Sequence, residues 1–191
     1  MQTLHTYRKY IVASVCGLLM AIFAANGGKA QDTPPAMEAL FAELADADNP
    51  NWERAQNQIL REWAKSGSPA FDLLLSRGEA AMEAGDYVAA IEHLTALTDQ
   101  APDFAEGWNA RATAYFLAGR YGPSISDIQR VLALEPRHFG ALDGLAMILQ
   151  EIGRKDEALK ALRASLAIHP HQDSIKEAAD ALEQELSGTE L

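Results

Sequence analysis

Large, small and proline positions recur along this chain with a period of 34 residues. In blocks starting at Phe71, Ala105 and Phe139, the fourth position is Leu74, Trp108 and Leu142, and the eighth is Gly78, Ala112 and Ala146. The eleventh is Ala81, Tyr115 and Leu149, the twentieth is Ala90, Ser124 and Ala158, and the blocks close on Pro102, Pro136 and Pro170. A glycine interrupts each block midway, at Gly85, Gly119 and Gly153. Glycine tolerates the left-handed conformation that ends a helix, and the closing proline stops the helix that follows, so each block predicts two helices joined by a turn. Small side chains at Gly78 and Ala90, or at Ala112 and Ser124, let the paired helices approach closely, while Trp108, Tyr115 and Ile128 fill the surrounding space. Strand signals are missing by comparison, so the expected fold class is all-α.

Helical spacing continues on both sides of the blocks. Met37 to Ala47 and Asn51 to Lys65 predict two helices separated by Asp48-Asn49-Pro50. Leu40, Phe41 and Leu44 form an apolar stripe on the first, and Trp52, Ile59, Leu60 and Trp63 form one on the second. Residues 36–70 are therefore expected to be a helix pair, either a degenerate fourth repeat or an N-terminal cap. After Pro170, the residues Ile175, Ala178, Ala179, Leu182 and Leu186 recur at helical spacing behind a helix start at Asp173 or Ser174. Residues 173–191 read as a capping helix and tail, which a stack of repeats needs to cover its last apolar face.

The 34-residue pattern resembles the tetratricopeptide repeat, which has Trp, Leu, Gly and Tyr on a first helix, Ala and Phe on a second, and a final Pro. The resemblance covers residues 71–172 and implies three repeats, at 71–104, 105–138 and 139–172. It also implies their arrangement, a right-handed superhelical stack of antiparallel helix pairs. Two features depart from the family pattern. The seventh position holds Arg77 and Arg111 where leucine is usual, with only Leu145 conforming, and Ser165 replaces a customary alanine. Each Arg is expected to lay its stem on the helix pair with its head near an acidic neighbour.

By this resemblance the first helix of each repeat lines a concave groove for partner segments. The groove positions are Asp72, Leu75, Glu79, Met82 and Glu83, then Glu106, Asn109, Thr113, Phe116 and Leu117, then Gly140, Asp143, Met147, Gln150 and Glu151. An apolar floor of Leu75, Met82, Phe116 and Met147 beside carboxylates suits a partner segment with apolar anchors and Lys or Arg. The alternative is that Phe116 and the methionines pack between repeats while the acids are solvated. The specialised clamps of this family that hold a C-terminal carboxylate use Lys, Asn and Arg at positions that here are Leu75, Glu79, Ala110, Gly140 and Gly144. No cation remains at those positions, so that function is excluded.

The N-terminus adds a destination. Arg8 and Lys9 precede an apolar run from Tyr10 to Ala25, which leads to Gly28-Lys29-Ala30. Basic, apolar and small residues in that order predict a signal peptide over 1–30 and a flexible leader over 31–35, and hence a periplasmic protein. An uncleaved run anchored in the inner membrane is the alternative. Cys16 is the only cysteine and lies inside the run, so cleavage would leave no thiol.

Charge and motif content narrow the function further. The chain has 16 Lys plus Arg against 27 Asp plus Glu, a net −11. Removing 1–30 takes away Arg8, Lys9 and Lys29 and no acid, leaving 13 against 27, or −14. A chain this acidic is repelled by phosphate backbones and anionic lipid, so nucleic acid is excluded as a partner and stable membrane insertion is not expected after cleavage. Nucleophile elbows, H-E-x-x-H and phosphate loops are absent, so no catalytic residue and no cofactor are expected. His138, His169 and His171 fall at two different inter-repeat turns, too few to converge on a metal, and His93 is expected on the surface. The expected function is a non-catalytic interaction module or scaffold accessory to an envelope complex. A self-associating structural component, or a metal-binding or enzymatic protein with an unrecognised site, are the alternatives.

Overall fold

A computed structural model describes residues 35–188. The expected signal peptide and leader lie outside the described residues except for Pro35, as do residues 189–191. The described chain is all-helical: α1 (Pro35–Ala45), α2 (Trp52–Trp63), α3 (Pro69–Glu83), α4 (Tyr87–Gln100), α5 (Ala105–Leu117), α6 (Tyr121–Leu134), α7 (Phe139–Glu151), α8 (Lys155–Ile168) and α9 (Asp173–Gly188). Helix α3 pairs with α4, α5 with α6, and α7 with α8. The pairs stack in order, with α3, α5 and α7 as neighbours on one side and α9 covering α8.

The mid-repeat turns share one mechanism. Gly85, Gly119 and Gly153 have φ of 75°, 71° and 78°. Asp86, Arg120 and Arg154 each donate a backbone N–H back across the glycine, to the carbonyls of Ala81, Tyr115 and Leu149 at 2.9, 2.8 and 2.7 Å. That reciprocal closure satisfies carbonyls that a helix end would otherwise orphan. At the twentieth position, Ser124 is fully buried and its hydroxyl donates to the Ala112 carbonyl at 2.7 Å, fixing α6 against α5. Gly78 does the same work by size, since a Cβ there would lie 2.5 Å from Leu94 Cγ.

Burial increases towards the third repeat. Phe139, Ala141, Leu142, Leu145, Ala146, Ile148 and Leu149 of α7 are all buried. Ala141, Leu145, Ala146, Ile148 and Leu149 share a core with Ile128 and Val131 of α6, Leu162 of α8 and Ala179 and Leu182 of α9. Leu75, Ala90, Leu94 and Leu97 form the corresponding core of the first repeat with Ala110 and Ala114.

The α1–α2 pair reaches far along the sequence for its partners. Trp63 stacks on His138 with ring centroids 4.2 Å apart and meets Phe139 at 5.2 Å. Trp52 stacks on His171 at 4.9 Å, and the Arg137 guanidinium lies 3.9 Å above Phe41. The pair thus settles on the turns that open α7 and α9. Its buried face is Leu40, Phe41, Leu44, Ala55 and Ile59, whereas Leu60 of the expected stripe points to solvent at 40% exposure.

Candidate functional site

The side chains of α5 and α7 that face each other border a half-open hollow of about 100 Å³. Asn109, Thr113 and Phe116 line it from α5, Gly140, Gly144 and Met147 from α7, and Ser124 and Ile128 of α6 form its floor. Five of the sequence-predicted groove residues, Asn109, Thr113, Phe116, Gly140 and Met147, therefore meet around one apolar hollow. Phe116 packs against Tyr121 at 5.8 Å, while Met147 is 49% exposed and Leu117, one residue beyond Phe116, is 44% exposed.

Carboxylates gather on the α3 side of this hollow. Glu106 at the start of α5 accepts from Asn109 Nδ2 at 3.0 Å and sits 3.0 Å from His138 Nε2. His138 Nδ1 accepts from the Ala141 N–H at 3.1 Å, capping α7, so its proton resides on Nε2 and is donated to Glu106. Glu79 on α3 is exposed and has no hydrogen-bond or ion-pair partner among the described residues. Partial burial, then the neighbouring charges of Glu106 and Glu83, hold its carboxyl above the ordinary range. A cation placed here would relieve that repulsion.

Other predicted groove residues serve different ends. Leu75 is only 5% exposed and belongs to the first-repeat core, so it is no contact surface. Its side chain is drawn inward because the closely paired α3 and α4 leave apolar space beside Ala90 and Leu94. Met82 is half-buried against the same core. Asp72 is taken up at the start of α3, where Ser66 donates both its hydroxyl and its backbone N–H to the carboxylate and holds its pKa down. Asp143 is largely shielded, with Oδ1 buried and unpartnered, and burial raises its pKa against the opposing influences of Ser165 and His138. Gln150 is half-buried near the end of α7, beyond the cavity lining.

The two seventh-position arginines diverge. Arg111 lays its guanidinium 4.8 Å over Trp108 and donates two hydrogen bonds to Asp127, at 2.7 and 2.9 Å, and one to Thr98 at 2.7 Å. Arg77 is exposed, and no acidic partner is found for it among the described residues. The partner Asp127, 4% exposed on α6, carries no sequence signal of its own. It sits 16 residues from Arg111, and only the paired geometry of α5 and α6 brings the two together.

His138, His169 and His171 each make contacts that join elements of the fold. Among the described residues no group of three or more His, Cys, Asp or Glu converges as a metal site. His169 is buried with Nε2 2.9 Å from Gln56 Oε1, and His171 Nε2 donates to the Asp46 carbonyl at 3.0 Å. Both hold the α1–α2 pair, and His93 is half-buried rather than fully on the surface. Among the described residues no helix is long and apolar enough to cross a membrane.

Stacked helix pairs with a hollow between successive first helices define a helical-repeat protein. The Tetratricopeptide repeat family profile matches residues 44–103, 75–125 and 110–173, and the chain belongs to the tetratricopeptide-repeat family. A TPR repeat-containing protein of Rhizobium etli is 39% identical over 153 residues, covering 80% of this chain and 75% of that protein. The small glutamine-rich tetratricopeptide repeat-containing protein 2 of Mycosarcoma maydis is 28% identical over 61% of this chain, which spans only 33% of that protein. Among solved structures, the first TPR of Spaghetti (RPAP3) bound to an HSP90 peptide has a TM-score of 0.58 at 23% identity, covering 60% of this chain and 91% of that one. MamA has a TM-score of 0.59 at 22% identity, covering 70% and 76%. At these identities the structural likeness concerns the fold alone.

Proposed function

We propose that this protein is a non-catalytic interaction module that binds a segment of another protein in the groove formed by α3, α5 and α7. The observation that carries this reading is the hollow between α5 and α7, with exposed Met147 and Leu117 beside it and the unpartnered Glu79 carboxylate nearby. Large exposed apolar side chains rimmed by polar groups mark association surfaces. A peptide-bound relative, the first TPR of Spaghetti, supports the same use of the fold. The basic and apolar layout of residues 8–30 supports export to the periplasm, and a partner in an envelope complex follows from that destination.

Crosslinking in the native cell from a photoreactive residue at Leu117 identifies the partner. Phe116→Ala and Glu79→Lys are then expected to weaken its capture at least tenfold with unchanged circular dichroism, and added salt to weaken it further. Unaltered affinity in both variants rejects the groove. Cell fractionation tests the destination, and a full-length product retained in the cytosol rejects export.

A further inference from the structure

The hollow between α5 and α7 carries a finer reading, which rests on the proposed groove. Helix α7 contains two glycines one turn apart, Gly140 and Gly144, and both line the hollow. Glycine inside a helix costs about 1 kcal/mol relative to alanine. At Gly78 the cost has a packing reason, because Leu94 leaves no room for a Cβ. At Gly144 a Cβ would come only to 3.9 Å of Ile128 Cδ1, and at Gly140 only to 3.7 Å of His138 Cε1. Those are ordinary contacts, so the fold itself does not require glycine at either position. What the missing side chains provide is the hollow, floored by Ile128 and walled by Phe116 and Met147.

We infer that this hollow receives one aliphatic side chain of an extended partner segment, whose Lys or Arg about three residues away pairs with Glu79. An apolar cavity of roughly 150 Å³ admits a benzene-sized molecule, so about 100 Å³ fits a leucine or methionine side chain. The charge follows from Glu79, Glu83 and Glu106, which repel one another. The spacing follows from helix packing: neighbouring axes lie about 8–10 Å apart, so the α5 wall of the hollow is about three residues of extended chain, at about 3.3 Å each, from α3.

The test uses protein obtained by expressing the full chain, with ¹³C-methyl methionine as the reporter, and synthetic dodecapeptides of Gly and Ser carrying one Leu and one Lys three residues apart. The Leu/Lys peptide is expected to shift the Met147 methyl resonance saturably. Replacing its Leu by Ala, or its Lys by Glu, should weaken binding at least fivefold on the unaltered protein. Gly144→Leu, which plugs the hollow from within, should weaken it at least tenfold, and Gly144→Ala less, with circular dichroism unchanged. No saturable shift, equal binding of the Leu and Ala peptides, or indifference to Gly144→Leu overturns the inference. If Gly144→Leu is neutral while Phe116→Ala and Glu79→Lys still disrupt the crosslinked partner, the groove stands and only this subsite falls. Neutrality of all three variants towards that partner rejects both.

Discussion

The indole of Trp63 lies flat on the imidazole of His138, with centroids 4.2 Å apart and planes within 8° of parallel. His138 also caps α7 and holds Glu106, so one side chain joins the α1–α2 pair, the start of the third repeat and the carboxylate edge of the groove. Trp63→Ala should therefore loosen the helix pair more than the repeats. A half-buried aromatic that stacks and fills space is worth about 2 kcal/mol here. Urea denaturation should show a loss of that order, and limited proteolysis should cleave around residues 46–51 and 64–68 before the repeats. Uniform destabilisation without earlier cleavage at those loops would contradict this account of α1–α2.

Arg111 and Asp127 form an ion pair whose side chains are only 12% and 6% exposed. Because Arg111 also reaches Thr98 on α4, the pair ties the first repeat to the second. Asp127→Ala leaves a shielded guanidinium without its carboxylate and should cost about 3 kcal/mol. Replacing both partners with well-packed apolar residues, Arg111→Met with Asp127→Leu, should recover most of that loss. Equilibrium unfolding of the single and double variants decides the point, and a double variant as unstable as Asp127→Ala would show that the pair is more than mutual compensation.

How much was legible in the sequence depends on the range of the interaction that decides each feature. Helix pairing and turn placement were readable because Gly85, Gly119 and Gly153 act locally, through their own φ and the hydrogen bond that closes over them. The facing of α5 and α7 followed from the period, which brings Asn109, Thr113, Phe116 and Met147 to one hollow. Leu75 was misassigned because groove and core positions on α3 differ by a small rotation, and its burial is set by Leu94 and Ala110 on other helices. The placement of α1–α2 was out of reach for a related reason. Its partners His169 and His171 lie 113 and 125 residues from Gln56 and Asp46, and nothing in the local pattern of Trp52 or Trp63 specifies them.

Those histidines make stability depend on pH. His169 is buried and its pKa is pushed down to about 4, chiefly by burial and secondarily by His171, so it is neutral in the folded chain. An unfolded histidine takes up its proton near pH 6.5. Between pH 6.5 and about 4 the unfolded state therefore binds more protons, and stability falls as pH falls through that window. The contribution at pH 4.5 is about 2–3 kcal/mol. Asp143 acts with the opposite sign, since its raised pKa lets the folded state take up a proton first. The comparison that isolates His169 is thus the wild type against His169→Gln. The variant should lose markedly less stability between pH 7 and 4.5, and parallel pH profiles would show that His169 is not the group that titrates.

Two glycine-to-alanine substitutions should move stability in opposite directions, although both lie inside first helices of repeats. At Gly78 an added Cβ would meet Leu94 Cγ at 2.5 Å and Cδ2 at 2.6 Å. Leu94 is fully buried in the first-repeat core and has nowhere to retreat, so Gly78→Ala should cost about 1–3 kcal/mol through overpacking, even after the gain in helix propensity. At Gly144 the nearest atom to a new Cβ is Ile128 Cδ1 at 3.9 Å, and the space beyond is the open hollow. Gly144→Ala should therefore stabilise by up to about 1 kcal/mol, because alanine loses less backbone freedom on entering a helix. Thermal unfolding of the two variants beside the wild type checks both signs at once. Destabilisation by Gly144→Ala would mean that α7 needs the bare backbone for its own packing, leaving the hollow as a by-product of the fold rather than room held open at a cost in helix stability.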